Sequence, residues 1–226
     1  LSLLSLFIWL PVIGAMALLV FGDNAHASRI RLAALTLSVI LLGLSAYLYM
    51  QFDPTQAGMQ FVEQYSWIDV LGIQYALGVD GISMPLIVLT AYTHVLVVLA
   101  AWRLIRVHQK QYYAIFLLIQ ASINGVFLAT DAMLYFVFWE AMLIPMYLCI
   151  GVWGSEHRSY AAVKFFLYTF FGSTLLLIAL LFLAKSSGSF MIASFYPLPL
   201  SFTAQLLIFI AFFVSFGVKV PMWPVH

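Results

Sequence analysis

The sequence predicts an all-α protein, a polytopic transmembrane helical bundle with six full spans and a discontinuous seventh. Of its 226 residues, 65% are hydrophobic and only 8% are charged, whereas soluble domains carry about 25% charged residues. Apolar stretches of about 20 residues, the length that crosses the hydrocarbon core of a bilayer, recur along the chain. Two prolines, Pro221 and Pro224, interrupt the last stretch, so we expect a broken helix there.

The apolar stretches place seven spans along the chain. They cover Leu3–Phe21, Ile30–Met50, Ile82–Leu104, Tyr112–Ala129, Met133–Trp153, Ala161–Ala184 and Phe202–His226. The chain has no initiator Met, starts inside one apolar stretch and stops inside another. We therefore expect a fragment of a longer protein.

An asymmetry of charge between the loops predicts the orientation. Basic residues gather in or beside the loops that follow the first, third and fifth spans: Arg29, Arg31, Arg103, Arg106, Lys110, Arg158 and Lys164. Lys and Arg are enriched in the cytoplasmic loops of membrane proteins. We therefore predict a multi-pass protein whose N-terminus, long loop at residues 51–81 and Lys185 loop lie outside.

The long loop at residues 51–81 has a pattern of its own. Aromatic and aliphatic residues alternate with small polar residues between Tyr65 and Tyr75, and this period is typical of β-strands. We expect a short hairpin on the membrane surface. Asp80 directly precedes the third span, where an acidic side chain typically caps a helix. We favour capping for Asp80 over a role in a proton path.

Composition and motifs exclude several classes of function. The net charge is +1 and no cluster of basic residues is present, so nucleic acid is excluded as a partner. The single cysteine, Cys149, supplies neither a disulfide framework nor a thiolate cluster for zinc or iron–sulfur ligation. No GxGxxG or Walker loop indicates a nucleotide or flavin site. We expect no metal and no cofactor on this chain, and a lipid bilayer around it.

The segment Phe136–Pro145 is apolar except for one carboxylate, Glu140, at its middle. A charge near the bilayer midplane costs roughly 2.5 to 3.5 kcal/mol on insertion scales, so such groups usually face a partner or water inside the protein. Pro145 has no N–H for the carbonyl of Ala141, which predicts a kink beside the acid. We interpret Glu140 as a proton-carrying group. The alternative is a protonated glutamate that only packs against a neighbouring helix.

Lys219 is the second unusual charge, because it lies deep in the seventh apolar stretch. Pro221 and Pro224 leave two carbonyls near it without their helical donors. A half-helix that ends there directs its negative pole and free carbonyls toward the ammonium. We interpret Lys219 as proton-carrying, and the alternative is a lysine that only stabilises the break. Glu140 and Lys219 are called the carboxylate–lysine pair below.

Four further residues are weaker candidates for a proton path: Lys164, His94, His226 and Tyr147. Lys164 is near the cytoplasmic end of the sixth span, where its stem can reach the interface. A single histidine such as His94 in an apolar helix is more often a satisfied core residue. His226 and Tyr147 each follow a member of the pair by seven residues, about two turns. The break makes the first spacing unreliable, and an aromatic at the second usually packs.

Four segments together resemble a known family: LGVDGISMPLIVLT, FWEAMLIPMYLCIGVWG, YAAVKFFLYTFFGS and FGVKVPMWPVH. In this order they are similar to chain M, the antiporter-like membrane subunits of proton-pumping NADH:quinone oxidoreductase, respiratory complex I. The resemblance covers Gly78 to His226, whereas residues 1–77 add only topology. Subunits of Mrp-type cation/proton antiporters and of energy-converting hydrogenases belong to the same family.

The resemblance implies an antiporter-like fold of fourteen transmembrane helices with two inverted five-helix repeats. Residues 1–77 would be N-terminal helices and an outer loop, and residues 78–226 the first, truncated part of the proton-translocating domain. In the family, a Glu of the fifth helix and a Lys before a Pro of the seventh form the buried pair of a half-channel. These match Glu140 and Lys219, and a lysine of the sixth helix matches Lys164.

The function that the resemblance implies is proton translocation by a membrane subunit of the enzyme NADH:quinone oxidoreductase in the bacterial inner membrane. NADH, FMN, iron–sulfur clusters and quinone would bind to partner subunits, and other membrane-arm subunits would surround the chain. The alternative is a subunit of an Mrp-type sodium/proton antiporter. The carboxylate–lysine pair is expected in both kinds of subunit and does not distinguish them. The amino-acid sequences of the four segments are more similar to those of complex I. A purely structural scaffold would require both members of the pair to be replaceable.

Overall fold

A computed structural model describes residues 2–22 and 26–224. The helices are α1 Leu3–Phe21, α2 Ala27–Gln51, α3 Ser83–Leu104, α4 Gln109–Leu128, α5 Ala132–Ala141, α6 Leu143–Trp153, α7 Arg158–Ser187 and α8 Phe202–Lys219, and the strands are β1 Gln60–Ile68 and β2 Ile73–Val79. Within the described residues, seven helical stretches are long and apolar enough to cross a membrane, with α5 and α6 forming one of them. The seven predicted spans are confirmed. In the first six, the predicted and observed ends differ by no more than three residues.

The chain divides into two compact units. The first unit comprises Leu1–Glu63 and Leu77–Ala129, and the second comprises Gln64–Ala76 and Thr130–His226. The hairpin thus contributes its ends to one unit and its tip to the other. The division at residues 77 and 78, which follows the start of the resemblance, stays a prediction.

In the first unit, α1 packs along α4 and α2 packs along α3. Small side chains such as Ala15, Ala34 and Ala114 are buried where the helices meet, since small residues let helices approach closely in lipid. The buried side chain of Asn124 on α4 donates from Nδ2 to the carbonyl of Phe7 on α1 at 2.9 Å. This hydrogen bond adds a polar link between α1 and α4.

Both ends of α1 are held by charged side chains of the first unit. Glu63 on β1 is buried and accepts hydrogen bonds from the amides of Leu4, at 2.6 Å, and Ser5, at 3.2 Å. At the opposite end, the ammonium of Lys110 donates to the carbonyl of Gly22 at 3.3 Å. A negative charge at a helix N-terminus and a positive charge at its C-terminus both favour the helix dipole.

The predicted hairpin and helix cap are both present. β1 and β2 pair in a two-stranded sheet, and Gly72, with φ of +67°, supplies the left-handed residue of the turn between them. Oδ1 of Asp80 accepts hydrogen bonds from the amides of Ile82, at 3.1 Å, and Ser83, at 2.7 Å. Burial acts to raise the pKa of Asp80, but these hydrogen bonds outweigh it and hold the pKa below its usual value. The capping prediction is confirmed.

In the second unit, Asp131 holds the start of α5. Its Oδ1 accepts from the amides of Met133, at 2.9 Å, and Leu134, at 3.0 Å, while Oδ2 accepts from the amide of Gln74 at 3.1 Å. Asp131 is only 1% exposed. This one carboxylate therefore caps the helix that carries Glu140 and joins it to the hairpin tip.

Candidate functional site

The fifth span is not one continuous helix. α5 ends at Ala141 and α6 begins at Leu143, although Met142 between them keeps helical angles of φ −70° and ψ −18°. The backbone path therefore continues while its hydrogen-bond ladder is interrupted, three residues before Pro145. Because the last four carbonyls of a helix lack an intrahelical donor, the final turn of α5 offers free acceptors next to Glu140.

The helix of the seventh span also ends at a candidate proton-carrying residue, because Lys219 is the last residue of α8. Pro221 cannot donate to the carbonyl of Gly217, and the amide of Met222 bonds to that carbonyl instead at 2.8 Å. The residues after Lys219 form turns as far as Pro224. His226, a sequence candidate for the proton path, lies outside the described residues.

The ends of α5 and α8 bring the carboxylate–lysine pair together. Nζ of Lys219 donates to the main-chain carbonyl of Trp139 at 3.2 Å and lies 4.9 Å from the centre of the Trp139 ring. Trp139 directly precedes Glu140, so the ammonium is bonded to the residue next to the carboxylate. Oε1 of Glu140 is buried and has no hydrogen-bond partner among the residues that the structure describes.

Two serines stand beside the pair. The hydroxyl of Ser173 on α7 interacts with the Glu140 carboxylate and donates to the carbonyl of Phe170 at 2.9 Å. Ser215 on α8 is four residues before Lys219 and therefore shares its helix face. Ser215 is 2% exposed, and within the described part of the chain its Oγ has no hydrogen-bond partner. Each hydroxyl is able to donate or accept a hydrogen bond beside a buried charged group.

An apolar wall surrounds the tryptophan that contacts Lys219. The ring of Trp139 stacks on Tyr135, with centroids 5.8 Å apart, and meets the edge of Phe216 at 5.5 Å. These rings pack against the buried side chains of Leu176 and Leu180 on α7. Such surroundings exclude water from one side of the ammonium and strengthen its electrostatic interactions.

A glycine of α7 permits the close packing that positions Lys219. A Cβ atom added at Gly172 would lie 2.8 Å from Cγ1 of Val218, the residue before Lys219. This distance is shorter than any ordinary contact, so α8 approaches α7 closely only because residue 172 has no side chain. Sequence patterns did not single out Trp139, Ser173, Ser215 or Gly172. The adjacency of Trp139 to Glu140 was the one available signal.

The structure does not bring Lys164 or Tyr147 to the pair. Lys164 is exposed on α7, with its ammonium 5.9 Å from the centre of the Tyr160 ring. It precedes Ser173 by nine residues, roughly 13 Å along the helix axis. Tyr147 on α6 packs its ring on Phe166 at 5.8 Å, as expected for a packing aromatic. The proton-path roles of both residues stay predictions.

His94 lies in the first unit, where it is 6% exposed on α3. Its side chain lines a cavity of about 340 Å³ between α3 and α4, together with Thr90 and Gln120. Among the described residues, Nε2 of His94 and both amide atoms of Gln120 have no hydrogen-bond partner. His94 is thus a buried histidine in a largely apolar setting, and its role stays a prediction.

The pair at the ends of α5 and α8 has the chemistry of a proton carrier. A carboxylate and an amine each bind and release one proton, and both are partly removed from solvent. Burial disfavours the charged form of each group, whereas an approach of the opposite charge favours both charged forms. A change in the separation of the two groups therefore changes the proton affinity of each.

Comparisons with known proteins give a consistent family. The family described as NADH-ubiquinone oxidoreductase chain 4, amino terminus, matches residues 32–130. The family described as NADH:quinone oxidoreductase/Mrp antiporter, TM, matches residues 129–226. NADH-quinone oxidoreductase subunit M of Rhodobacter capsulatus is 43% identical over 241 residues, covering 100% of this chain and 46% of that protein. NADH-ubiquinone oxidoreductase chain 4 of Arabidopsis thaliana is 40% identical, covering 99% of this chain and 45% of its own length.

Solved structures agree with this relationship. The chain is similar to a chain of respiratory complex I from Thermus thermophilus, with a TM-score of 0.85 and 29% identity, over 99% of this chain and 45% of that one. It is also similar to the Mrp complex from Dietzia sp., with a TM-score of 0.79 and 21% identity, over 96% of this chain and 23% of that one; this second likeness shows a shared fold alone. The antiporter-like fold is confirmed, and the chain spans about half the length of the curated relatives it matches.

Proposed function

This chain is a homologue of NADH-quinone oxidoreductase subunit M, and we propose that it translocates protons across the membrane as part of an NADH:quinone oxidoreductase. The single observation that carries the proposal is the carboxylate–lysine pair, because the ammonium of Lys219 donates to the carbonyl of Trp139, the residue before Glu140, where two membrane-spanning helices are interrupted. A charge within an apolar span is costly unless it has a function or a partner.

The proton movement follows from electrostatics. While the ammonium of Lys219 is close to the carboxylate of Glu140, both groups favour their charged forms. When the ammonium withdraws, the buried carboxylate gains affinity for a proton and the buried amine loses affinity for its own. A change in separation therefore loads one group and unloads the other. Water between the helices would carry the proton onward.

Electron transfer lies outside this mechanism. The chain contributes no nucleotide-binding motif, so NADH, FMN, iron–sulfur clusters and quinone belong to partner subunits in the proposal. Other membrane-arm subunits would carry the coupling from quinone chemistry to the pair. The location is a bacterial inner membrane with the N-terminus outside. Lys164 is included as the proton-path residue of α7.

Substitution of the pair in the intact complex tests the proposal. Glu140→Gln keeps the volume and hydrogen-bonding capacity of the side chain but cannot exchange a proton. We expect Glu140→Gln and Lys219→Ala each to lower proton pumping and the coupled quinone reductase rate at least about a hundredfold, the lower end of the usual scale for a lost proton-transfer group. Glu140→Asp should keep part of the activity. Lys219→Arg should be inactive, because guanidinium does not release its proton.

The measurements are quinone reductase rate and membrane-potential formation in vesicles, both normalised to assembled complex. Glu156→Gln and Lys185→Ala are matched controls, because they make the same kinds of change at exposed positions and should be silent. Near-normal rates for Glu140→Gln in both assays would reduce Glu140 to a packing residue and refute the proposal.

The Mrp-type antiporter is the second candidate, and the description of the family that matches residues 129–226 names both classes. The curated relatives at 43% and 40% identity are NADH-quinone oxidoreductase subunits, which favours the first candidate. Co-purification decides between them. An NADH-oxidising assembly supports the proposal, whereas sodium-dependent proton exchange without NADH oxidation supports the antiporter.

A further inference from the structure

We infer that Trp139 is a positioning residue for Lys219. Trp139 holds the ammonium of Lys219 in a separate site next to Glu140. The Trp139 site is defined by the main-chain carbonyl and the indole face of that residue. The inference rests on the proposed function and deepens it, because it gives Lys219 two alternative partners. One is the Trp139 site, and the other is the carboxylate of Glu140.

The carbonyl half of the Trp139 site exists because α5 ends early. Trp139 lies in the last turn of α5, which stops at Ala141, and the carbonyls of a last turn lack intrahelical donors. These carbonyls also carry the negative pole of the helix. Nζ of Lys219 donates to the Trp139 carbonyl at 3.2 Å. The interruption before Pro145 thus creates an acceptor for a cation.

The indole half of the Trp139 site is held by rings of both helices. Nζ of Lys219 lies 4.9 Å from the ring centre, within the range of a cation–π interaction, for which tryptophan is the strongest aromatic. Tyr135, one turn earlier on α5, stacks on the indole with an interplanar angle of 26°. Phe216, three residues before Lys219 on α8, meets it edge-on at 67°. The indole orientation is therefore fixed by the two helices whose ends form the site.

The two partners of Lys219 lie on adjacent residues and differ in chemistry. Consecutive residues on a helix point about 100° apart, so a flexible lysine reaches either side without movement of α8. Neither the carbonyl nor the indole face accepts a proton, so Lys219 stays charged in the Trp139 site. Glu140 also favours the charged lysine while the two are close, but unlike the Trp139 site it can exchange a proton with it: an N–H bond of the ammonium breaks and an O–H bond forms, leaving a neutral amine and a carboxylic acid.

The unsatisfied carboxylate supports this division of roles. Oε1 of Glu140 is buried without a hydrogen-bond partner among the described residues, while the ammonium is engaged by Trp139. A buried carboxylate oxygen without a donor is costly. An ammonium that leaves the Trp139 site satisfies this oxygen. The Trp139 site therefore competes with Glu140 and sets how long the lysine keeps its proton.

Two variants of the intact complex, Trp139→Leu and Trp139→Phe, test the inference. Leucine keeps an apolar side chain and the carbonyl but removes the cation–π partner, and phenylalanine keeps a weaker one. Loss of the indole destabilises the charged lysine, so the alkaline limb of the pH profile of quinone reductase should move to lower pH. We expect the alkaline limb to shift by about half to one pH unit for Trp139→Leu and by less for Trp139→Phe. Turnover at alkaline pH should fall about two- to tenfold. These sizes correspond to the usual strength of a cation–π contact.

Trp102→Leu is the control, because Trp102 is a half-buried tryptophan of α3 in the first unit, and its pH profile should match that of the parent. Equal and unshifted profiles for the two Trp139 variants would make Trp139 a packing residue. If Trp139→Leu does not assemble, Trp139→Phe decides alone, since an unshifted profile there also overturns the inference. Failure of the inference leaves Glu140→Gln and Lys219→Ala inactive. Failure of the proposed function would instead leave those two variants active.

Discussion

Ser173 and Ser215 bring one hydroxyl to each member of the carboxylate–lysine pair. Ser173 interacts with Glu140, and Ser215 lies on the helix face of Lys219 without a hydrogen-bond partner in the described residues. A buried polar group left unpaired costs about 1–3 kcal/mol. A hydroxyl can donate a hydrogen bond when a neighbouring group is negative and accept one when it is positive. At the residue scale, the site is therefore larger than the pair.

Ser173→Ala tests this extension. If the hydroxyl turns from Phe170 toward Glu140 it can donate to the charged carboxylate, and its loss removes that donor. Because the same hydroxyl also donates to Phe170, we expect a fall in quinone reductase rate of only about three- to tenfold, below that of a full charged hydrogen bond. Ser186→Ala is the control, since Ser186 is an exposed serine of α7 that bonds to the Phe182 carbonyl at 2.9 Å. Identical quinone reductase rates for Ser173→Ala and Ser186→Ala would show that Ser173 does not act on the carboxylate–lysine pair.

At the scale of elements, two interrupted helices and one close helix contact build the site. α5 ends where the carbonyl of Trp139 accepts from Lys219, the last residue of α8, and α7 holds α8 in place through the contact of Gly172 with Val218. Helices in lipid associate through close packing rather than through the hydrophobic effect. The position of Lys219 therefore depends on the shape of α7 as much as on the prolines that follow it.

Gly172→Ala should disturb this contact. The added methyl would lie 2.8 Å from Cγ1 of Val218, and overpacking of this kind typically costs about 1–3 kcal/mol. We expect a lower midpoint of heat inactivation and a lower quinone reductase rate. Gly172→Ala combined with Val218→Ala should recover only part of the loss, because the contacts to Cγ1 and Cγ2 are removed while Cβ of residue 218 still lies 2.9 Å from the added methyl. Gly151→Ala, where the nearest atom is 3.8 Å away, is the silent control, and equal losses in both glycine variants would contradict the packing argument.

The elements themselves were largely predictable from the sequence. Apolar runs fixed the spans because each must match the bilayer thickness, and Pro221 fixed the end of α8 because proline removes a helical donor. The roles of Glu63 and Asp131 were not predictable. Each carboxylate caps a helix from a distant or adjoining segment, and a sequence pattern does not show which segments meet.

The candidate site shows the same division. Glu140 and Lys219 were identifiable because charge in an apolar span is rare. Trp139 was not, because its contribution is a carbonyl and a ring face directed at a residue 80 positions away. Tyr147 shared a helical spacing with Glu140, and Lys164 matched the family pattern, but Tyr147 packs on Phe166 and Lys164 lies over the ring of Tyr160.

At the scale of the whole molecule, charge distribution and helix capping agree on which ends of the spans share a side. Glu63 of the long loop bonds to the first residues of α1, so that loop and the start of α1 lie together. Lys110, in the basic set, bonds to the carbonyl after the end of α1. The contacts of the first unit thus group acidic residues at one end of α1 and basic residues at the other. The positive-inside rule then predicts that the basic end faces the cytoplasm.

Cysteine labelling of intact cells tests this orientation. In a background in which Cys149 is replaced by Ser, we expect a cysteine at Gln56 to react with a membrane-impermeant thiol reagent. A cysteine at Ser155 should react only after the membrane is permeabilised. Both positions are exposed in the structure, so a failure to react reports the membrane rather than burial. The reaction at Ser155 after permeabilisation shows that its thiol is competent. Protection of Gln56 together with direct labelling of Ser155 would invert the topology, and the lysine of the pair would then approach the outer side instead of the cytoplasm.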